Sequence, residues 1–221
     1  MQKHIPHSQL TPAKEHTERL VLDGTKIAWY LDRVQAWERG ERIAPITVDL
    51  ALTRACNFRC SFCFAMLQEN ERSVITKEVM SDFLTDSARM GIKGISLVSD
   101  GESTLSPAFE HTLLFGHELA LAMALGTNAY ILIPEHSERI LHTLTYLRVN
   151  FSAGTPERYA EIMGVKEVSY HRVCNNIRAM VAFKQKNNLP VTIGMQMVLM
   201  PQDGDQILPF AQLGKELGVD Y

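Results

Sequence analysis

The chain has little of what defines several other classes of protein. Only four of its 221 residues are cysteines, too few for a scaffold built on disulfides. Its longest apolar run, residues 119–125, is far shorter than a membrane span, and its first residues lack the apolar segment of a secretion signal. The net charge is only -3, so no basic field points to nucleic acid. We therefore expect a cytoplasmic protein that binds neither membrane nor nucleic acid.

From about residue 46, short β-rich runs alternate with longer stretches of helical period, a pattern typical of an α/β fold with a parallel sheet. The predicted strands are residues 46–52, 94–98, 120–125, 145–151 and 191–199. Helices are predicted from Thr76 to Gly91, from about Ser106, over 135–142 and 168–186, and from Asp203. Residues 218–221 predict the opening of a sixth strand, so we expect a partial (βα)6 TIM-like barrel, truncated before strand six.

The first 45 residues do not share this alternation. A polar tail to about Glu18 is followed by apolar residues at helical spacing, which predict an amphipathic helix from Lys26 to Arg39. We therefore expect an N-terminal extension over residues 1–45 and a core domain, incomplete at its C-terminus, over residues 46–221.

Three of the four cysteines lie in one short segment directly after the first predicted strand. Cys56, Cys60 and Cys63 have the spacing C-x3-C-x2-C. A structural zinc ion needs four ligands, and the remaining cysteine, Cys174, lies on an apolar helix face where a core position is expected. A [4Fe–4S] cluster held by only three thiolates keeps one iron open for a small molecule. The spacing therefore favours such a cluster.

This motif, with Phe62 just before its third cysteine, resembles that of the radical S-adenosylmethionine (SAM) enzymes. The resemblance covers roughly residues 46–221 and implies that SAM binds the open iron. In that family an electron from the cluster splits SAM to a 5′-deoxyadenosyl radical, which takes a hydrogen atom from the substrate.

Further segments resemble the SAM-binding motifs of the same family. Gly101 and Glu102 match a Gly-Gly-Glu run that binds the SAM ammonium, with Asp100 in place of the first glycine and Ser103 where proline is common. Thr127 and Asn128 resemble a Thr-Asn-Gly segment after strand three. By the same resemblance Asn150 and Ser152 are expected near the SAM ribose or carboxylate. The residues expected to flank the adenine are Phe62, Met195, Met197 and Val198.

The resemblance is strongest to the branch that contains the first-step enzymes of molybdenum cofactor synthesis and the peptide- and sulfatase-maturing enzymes. It implies a peptide or small-metabolite substrate and an electron donor such as flavodoxin or ferredoxin. Two alternatives stay open on the residues alone. The chain could be a non-catalytic Fe–S redox or iron sensor, or a fragment that binds SAM without turnover.

Overall fold

The computed structural model describes residues 29–67 and 74–221, which belong to two compact units, residues 1–43 and 44–221. The described part of the first unit contains one helix, α1 (Leu31–Glu38). The sequence predicts this helix from Lys26 onward, and its predicted first residues lie outside the described range.

The second unit is built around a parallel sheet. Its described residues form five strands in the order of the sequence, so that each strand lies beside its chain neighbours. The strands are β1 (Thr47–Leu50), β2 (Gly94–Leu97), β3 (Ala122–Thr127), β4 (Leu144–Asn150) and β5 (Thr192–Gln196). The predicted α/β class is therefore confirmed, and this strand order is that of a partial barrel.

The helices of the second unit connect the ends of successive strands. In the described residues they are α2 (Lys77–Met90), α3 (Phe109–Glu118), α4 (Pro134–Ile140), α5 (Pro156–Met163), α6 (Glu167–Lys186) and α7 (Ile207–Leu217). Thr76 caps the start of α2 by accepting a hydrogen bond from the Val79 amide, and Gly91 ends α2 in the left-handed conformation. None of the helices described is long and apolar enough to cross a bilayer.

The helix α5 is absent from the sequence-based prediction. It has only eight residues, so its apolar period is too short to stand out, although Pro156 at its first turn and Gly164 at its end are ordinary helix signals. Tyr159, Ile162 and Met163 are its buried residues. This helix supports residues 56–63, which we call the cysteine segment.

The core lies between the helices and one face of the sheet. Residues paired in register project to the same face, and the row of Leu50, Leu97, Leu125, Leu147 and Ile193 contributes apolar side chains to that face. All but Leu50 are fully buried. Cys174 is also buried here, at 2% exposure, which confirms its predicted core position.

Residues after α7 return to the sheet beside β5. The Asp220 amide donates to the carbonyl of Ile193, and the Met195 amide donates to the carbonyl of Tyr221, at 2.8 and 3.0 Å. The Asp220 carboxylate also accepts a hydrogen bond from the Ile193 amide at 2.7 Å. These bonds place residues 219–221 where the sequence predicts the opening of a sixth strand.

Candidate functional site

The cysteine segment follows β1 at the C-terminal edge of the sheet, the edge on which barrel enzymes build their sites. In this segment Cys56 is exposed, whereas Cys60 and Cys63 are half-buried. Phe58, between them, is buried and makes edge-to-face contacts with Tyr130 and Tyr159. The aromatic side chain anchors the segment in the core, and of the three thiols only that of Cys56 is exposed.

The end of α5 holds the middle of the cysteine segment. The amides of Arg59 and Ser61 donate to the carbonyls of Met163 and Ile162, at 3.2 and 2.8 Å. Gly164 has a φ of +63°, and a Cβ there would lie 2.1 Å from the Arg59 carbonyl oxygen, so only glycine fits. A helix that the sequence analysis missed therefore sets the path of the backbone between Cys56 and Cys63.

The three thiols influence one another electrostatically. Burial, and then the charges of Cys56 and Cys63, raise the pKa of Cys60 to about 12. Burial also raises the pKa of Cys56, and the charges of Glu102 and Cys63 raise it further. A metal centre bound at these thiols would supply the positive charge that stabilises the thiolates.

The donor set suits a cluster better than a single metal ion. Among the described residues, no three His, Cys, Asp or Glu side chains gather as closely as one metal ion requires. A single zinc ion draws all its thiolates to about 2.3 Å from one point, whereas a cluster binds each thiolate to a different iron. Three thiols on one loop that do not converge on one point are compatible with such a cluster.

The segment after β2 packs directly against the backbone that precedes Cys56. The Glu102 amide donates to the Ala55 carbonyl at 2.8 Å. Gly101 has a φ of +69°, and a Cβ there would lie 2.2 Å from the Thr53 carbonyl oxygen. Glycine is therefore required at position 101 both by the backbone angle and by the close approach of the two segments.

Asp100, where the family motif has glycine, pairs with the same segment. The Asp100 carboxylate accepts a hydrogen bond from Nη2 of Arg54 at 2.9 Å, and both side chains are partly buried. The extra carboxylate therefore has a partner within the chain and links the segment after β2 to the segment after β1.

Glu102 is 3% exposed, and its carboxylate is bound by donors of the chain itself. Oε1 accepts hydrogen bonds from the hydroxyls of Thr104 and Thr127, both at 2.7 Å, and from the Thr104 amide. Oε2 accepts a hydrogen bond from the Asn128 amide at 2.7 Å. The carboxylate thus joins the loop after β2 to the end of β3.

Asn128 extends these contacts to the cysteine segment. Its Nδ2 donates to Oδ1 of Asn57 at 2.8 Å, and its Oδ1 accepts a hydrogen bond from the Tyr130 amide. Neither Asn57 nor Thr104 is among the predicted site residues, because Asn57 occupies an unspecified position of the cysteine motif and Thr104 follows the segment that resembles the Gly-Gly-Glu run.

The structure separates the predicted site residues into two groups. The cysteine segment, Gly101, Glu102, Thr127 and Asn128 come together at the C-terminal ends of β1, β2 and β3. Ser152 lies after β4, fully buried, and its hydroxyl accepts a hydrogen bond from the Val198 amide at 3.1 Å. Its φ is +59°. Its predicted contact with SAM stays a prediction.

The remaining predicted residues differ in their surroundings. Phe62 is half-buried and packs against the core, and Met197, just beyond β5, is also half-buried. Met195 is 5% exposed and lies on the apolar face of the sheet. Core packing therefore accounts for Met195, which the sequence analysis offered as a residue flanking the adenine.

The family model described as "Radical SAM superfamily" matches residues 50–213. An S-adenosylmethionine-dependent nucleotide dehydratase of Pseudoalteromonas ulvae is 27% identical over 128 residues, covering 51% of this chain and 42% of the relative. A probable GTP 3',8-cyclase of Saccharolobus islandicus is 23% identical over 172 residues, covering 77% of this chain and 53% of the relative.

Among solved structures, Streptococcus suis SuiB bound to its precursor peptide SuiA has a similar fold. The TM-score is 0.67 at 18% identity, over 85% of this chain and 40% of SuiB. SuiB has also been solved bound to S-adenosylmethionine, with a TM-score of 0.65. The chain spans about half the length of the curated relatives it matches.

Proposed function

Since the chain belongs to the radical SAM superfamily, whose enzymes use a [4Fe–4S] cluster and SAM, we propose that Cys56, Cys60 and Cys63 hold such a cluster. When bound, the cluster and SAM supply a 5′-deoxyadenosyl radical that takes a hydrogen atom from a substrate. The fourth cysteine, Cys174, is buried in the core, so the cysteine segment leaves one iron for SAM.

The observation that carries this proposal is the direct attachment of two other segments to the cysteine segment. Glu102 is bonded to the Ala55 carbonyl, and Asn128 is bonded to Asn57. Residues on both sides of Cys56 are therefore tied to the segments that resemble the SAM-binding motifs. A ligand on the open iron would lie beside those segments.

In this proposal Gly101 and Glu102 orient SAM. Gly101 lets the backbone after β2 come close to a ligand, with carbonyl groups that can accept from an ammonium. Oε2 of Glu102 accepts one hydrogen bond from the chain and can accept another. Thr127 and Asn128 hold that carboxylate in place, while Phe62, Ser152 and Met197 complete the site on its adenosine side.

The substrate in this proposal is a peptide or a small metabolite, and a flavodoxin or ferredoxin supplies the electron. Relatives named for a nucleotide and for GTP support the metabolite, and SuiB bound to its precursor peptide supports the peptide. A reducing compartment such as the cytoplasm suits the three free thiols.

Electron paramagnetic resonance of the anaerobically reconstituted, dithionite-reduced protein tests the proposal. We expect a [4Fe–4S]+ signal that changes when SAM is added, followed by formation of 5′-deoxyadenosine. Cys60→Ala should lose the cluster signal. Cys174→Ala, which changes a cysteine of the core, is the matched control and should keep it.

The other outcomes separate the alternatives. A cluster signal that ignores SAM would contradict the proposal and favour a redox or iron sensor. A signal that responds to SAM without any 5′-deoxyadenosine would favour binding without turnover. Loss of the signal in Cys174→Ala as well as in Cys60→Ala would contradict the assignment of the ligands.

A further inference from the structure

The face of the sheet opposite the apolar core carries polar side chains. Register and the alternation along each strand place eight polar or amphipathic residues on it: Thr47, Asp49, Ser96, Tyr146, Arg148, Asn150, Thr192 and Gln196. Thr47 and Asp49 are exposed, Thr192 is buried, and the other five are half-buried. A sheet face of this composition is suited to contact with a polar ligand rather than with a packed helix.

Arg148 lies in the middle of this polar face. Its register partners on the two neighbouring strands are Gly126 and Gly194, and the ring of Tyr221 lies over Gly194, where a Cβ would be 2.2 Å from Cζ of that tyrosine. A Cβ at Gly126 would lie 3.5 Å from Nη2 of Arg148, so the guanidinium group lies over that glycine. Arg148 is the only basic residue on this face within the five described strands.

One donor of the guanidinium, Nε, lacks a hydrogen-bond partner within the described part of the chain. Its Nε is buried and donates to no group of the described residues, and none of their carboxylates forms an ion pair with Arg148. Buried donors without an acceptor are unfavourable and uncommon in folded proteins. An anionic oxygen of a ligand would satisfy this donor with a charge-assisted bond.

On the adjacent strand, the side chain of Gln196 has a buried acceptor that lacks a hydrogen-bond donor. Its Oε1 is buried and, among the described residues, accepts no hydrogen bond. Gln196 lies two residues beyond Gly194, which is the register partner of Arg148, so the two side chains are diagonal neighbours on one face. The two residues therefore place an unsatisfied donor and an unsatisfied acceptor on the same face of the sheet.

We propose that Arg148 binds an anionic group of the substrate, a carboxylate or a phosphate, while Gln196 accepts a hydrogen bond from an N–H or O–H of the same molecule. This inference rests on the proposed function and adds a substrate class to it. The substrate is an acidic compound that also carries a donor.

SAM also has a carboxylate, but the position of Arg148 disfavours it as the ligand. The resemblance expects the SAM ribose or carboxylate near Asn150 and Ser152, at the end of β4 and just beyond it. Arg148 lies two residues before the end of β4, below the edge where the cysteine segment lies. The methionine part of SAM is expected at that edge, and the substrate is expected farther from the edge, along the polar face where Arg148 lies.

Isothermal titration of the reconstituted, SAM-loaded protein with inorganic pyrophosphate and with glutarate tests the proposal. We expect binding of at least one of them, and the preferred one distinguishes phosphate from carboxylate. Arg148→Gln should weaken that binding by about tenfold or more, because a charge-assisted bond is lost. Arg178→Gln, an exposed arginine of α6, is the matched control and should bind as the wild type does.

A second variant protects the test against a folding defect in Arg148→Gln. Gln196→Glu keeps the size of the side chain but adds a negative charge beside Arg148, so it should also weaken anion binding. The thermal midpoint of Arg148→Gln should not fall, because none of its hydrogen bonds within the described residues is lost.

Three results would overturn the proposal. The first is the absence of anion binding in the wild type, and the second is equal anion binding in Arg148→Gln and the wild type. The third is loss of the SAM-induced change in the cluster signal in Arg148→Gln, because that loss would assign the arginine to SAM. A wild-type cluster that does not respond to SAM would instead count against the proposed function, and titration of wild type and Arg148→Gln without SAM would still show whether anion binding depends on the arginine.

Discussion

Asn128 donates from Nδ2 to Oδ1 of Asn57 at 2.8 Å, a bond between residues 71 positions apart. The same Asn128 donates from its backbone amide to Glu102. The end of β3, the loop after β2 and the cysteine segment are therefore joined through one residue. We call Asn57, Glu102, Thr127 and Asn128 the polar bridge.

Asn57→Ala should destabilise the cysteine segment. It removes the acceptor for Asn128 and should lower the free energy of unfolding by about 1 kcal/mol, since a typical net hydrogen bond contributes that much. Iron content after reconstitution should fall as well. Urea unfolding and iron analysis measure both effects. Asn175→Ala, at an exposed position of α6, should change neither, and unchanged iron content in Asn57→Ala would argue against the polar bridge as a support of the site.

Glu102→Gln should be costly although the side chain keeps its shape. The amide group must place an NH2 against the backbone N–H of either Thr104 or Asn128, so a donor faces a donor in this buried place. We expect a loss of about 2 kcal/mol in the free energy of unfolding. Urea unfolding tests this against Glu118→Gln, an exposed glutamate of α3. Equal stability of Glu102→Gln and the wild type would contradict the prediction.

Asp100→Asn should have little effect on SAM. The carboxylate pairs with Arg54, so its loss should reduce stability by at most about 1 kcal/mol, as for other partly exposed ion pairs. The SAM concentration that half-saturates the change in the cluster signal should stay within about twofold. Asp82→Asn, exposed on α2, is the control. A tenfold weaker response to SAM would show that Asp100 contacts the ligand directly.

Gly164→Ala should disrupt the support of the cysteine segment by α5. The new Cβ would overlap the Arg59 carbonyl, and alanine would also be strained at a φ of +63°. We expect a loss of about 2 kcal/mol or more in stability, with less iron bound after reconstitution. Gly204→Ala is the matched control, because a Cβ there meets no atom within 4 Å. Full iron content in Gly164→Ala would show that the cysteine segment binds iron without the support of α5.

Local patterns in the sequence predict much of the fold. The alternation of β-rich and helical periods predicts the parallel strands within a few residues, because each segment's own pattern records which of its faces is buried. The prediction of β3 begins two residues early and ends two early, since Ala120 to Leu121 is apolar but Gly126 and Thr127 still pair with β4. The short helix α5 is missed because eight residues hold little more than two helical turns.

The sequence by itself determined the class of fold, the edge of the sheet where the site lies, and the trio of thiols, because these depend on spacing and period within short segments. Only the tertiary structure decided which groups the side chains and backbone of the site residues bond to. The bonds of Glu102 to Thr127 and Asn128, the attachment of Arg59 to Met163, and the unsatisfied Arg148 and Gln196 all depend on how segments far apart in the chain meet. Hydrogen bonds of this kind require both position and direction in space, which no local pattern encodes.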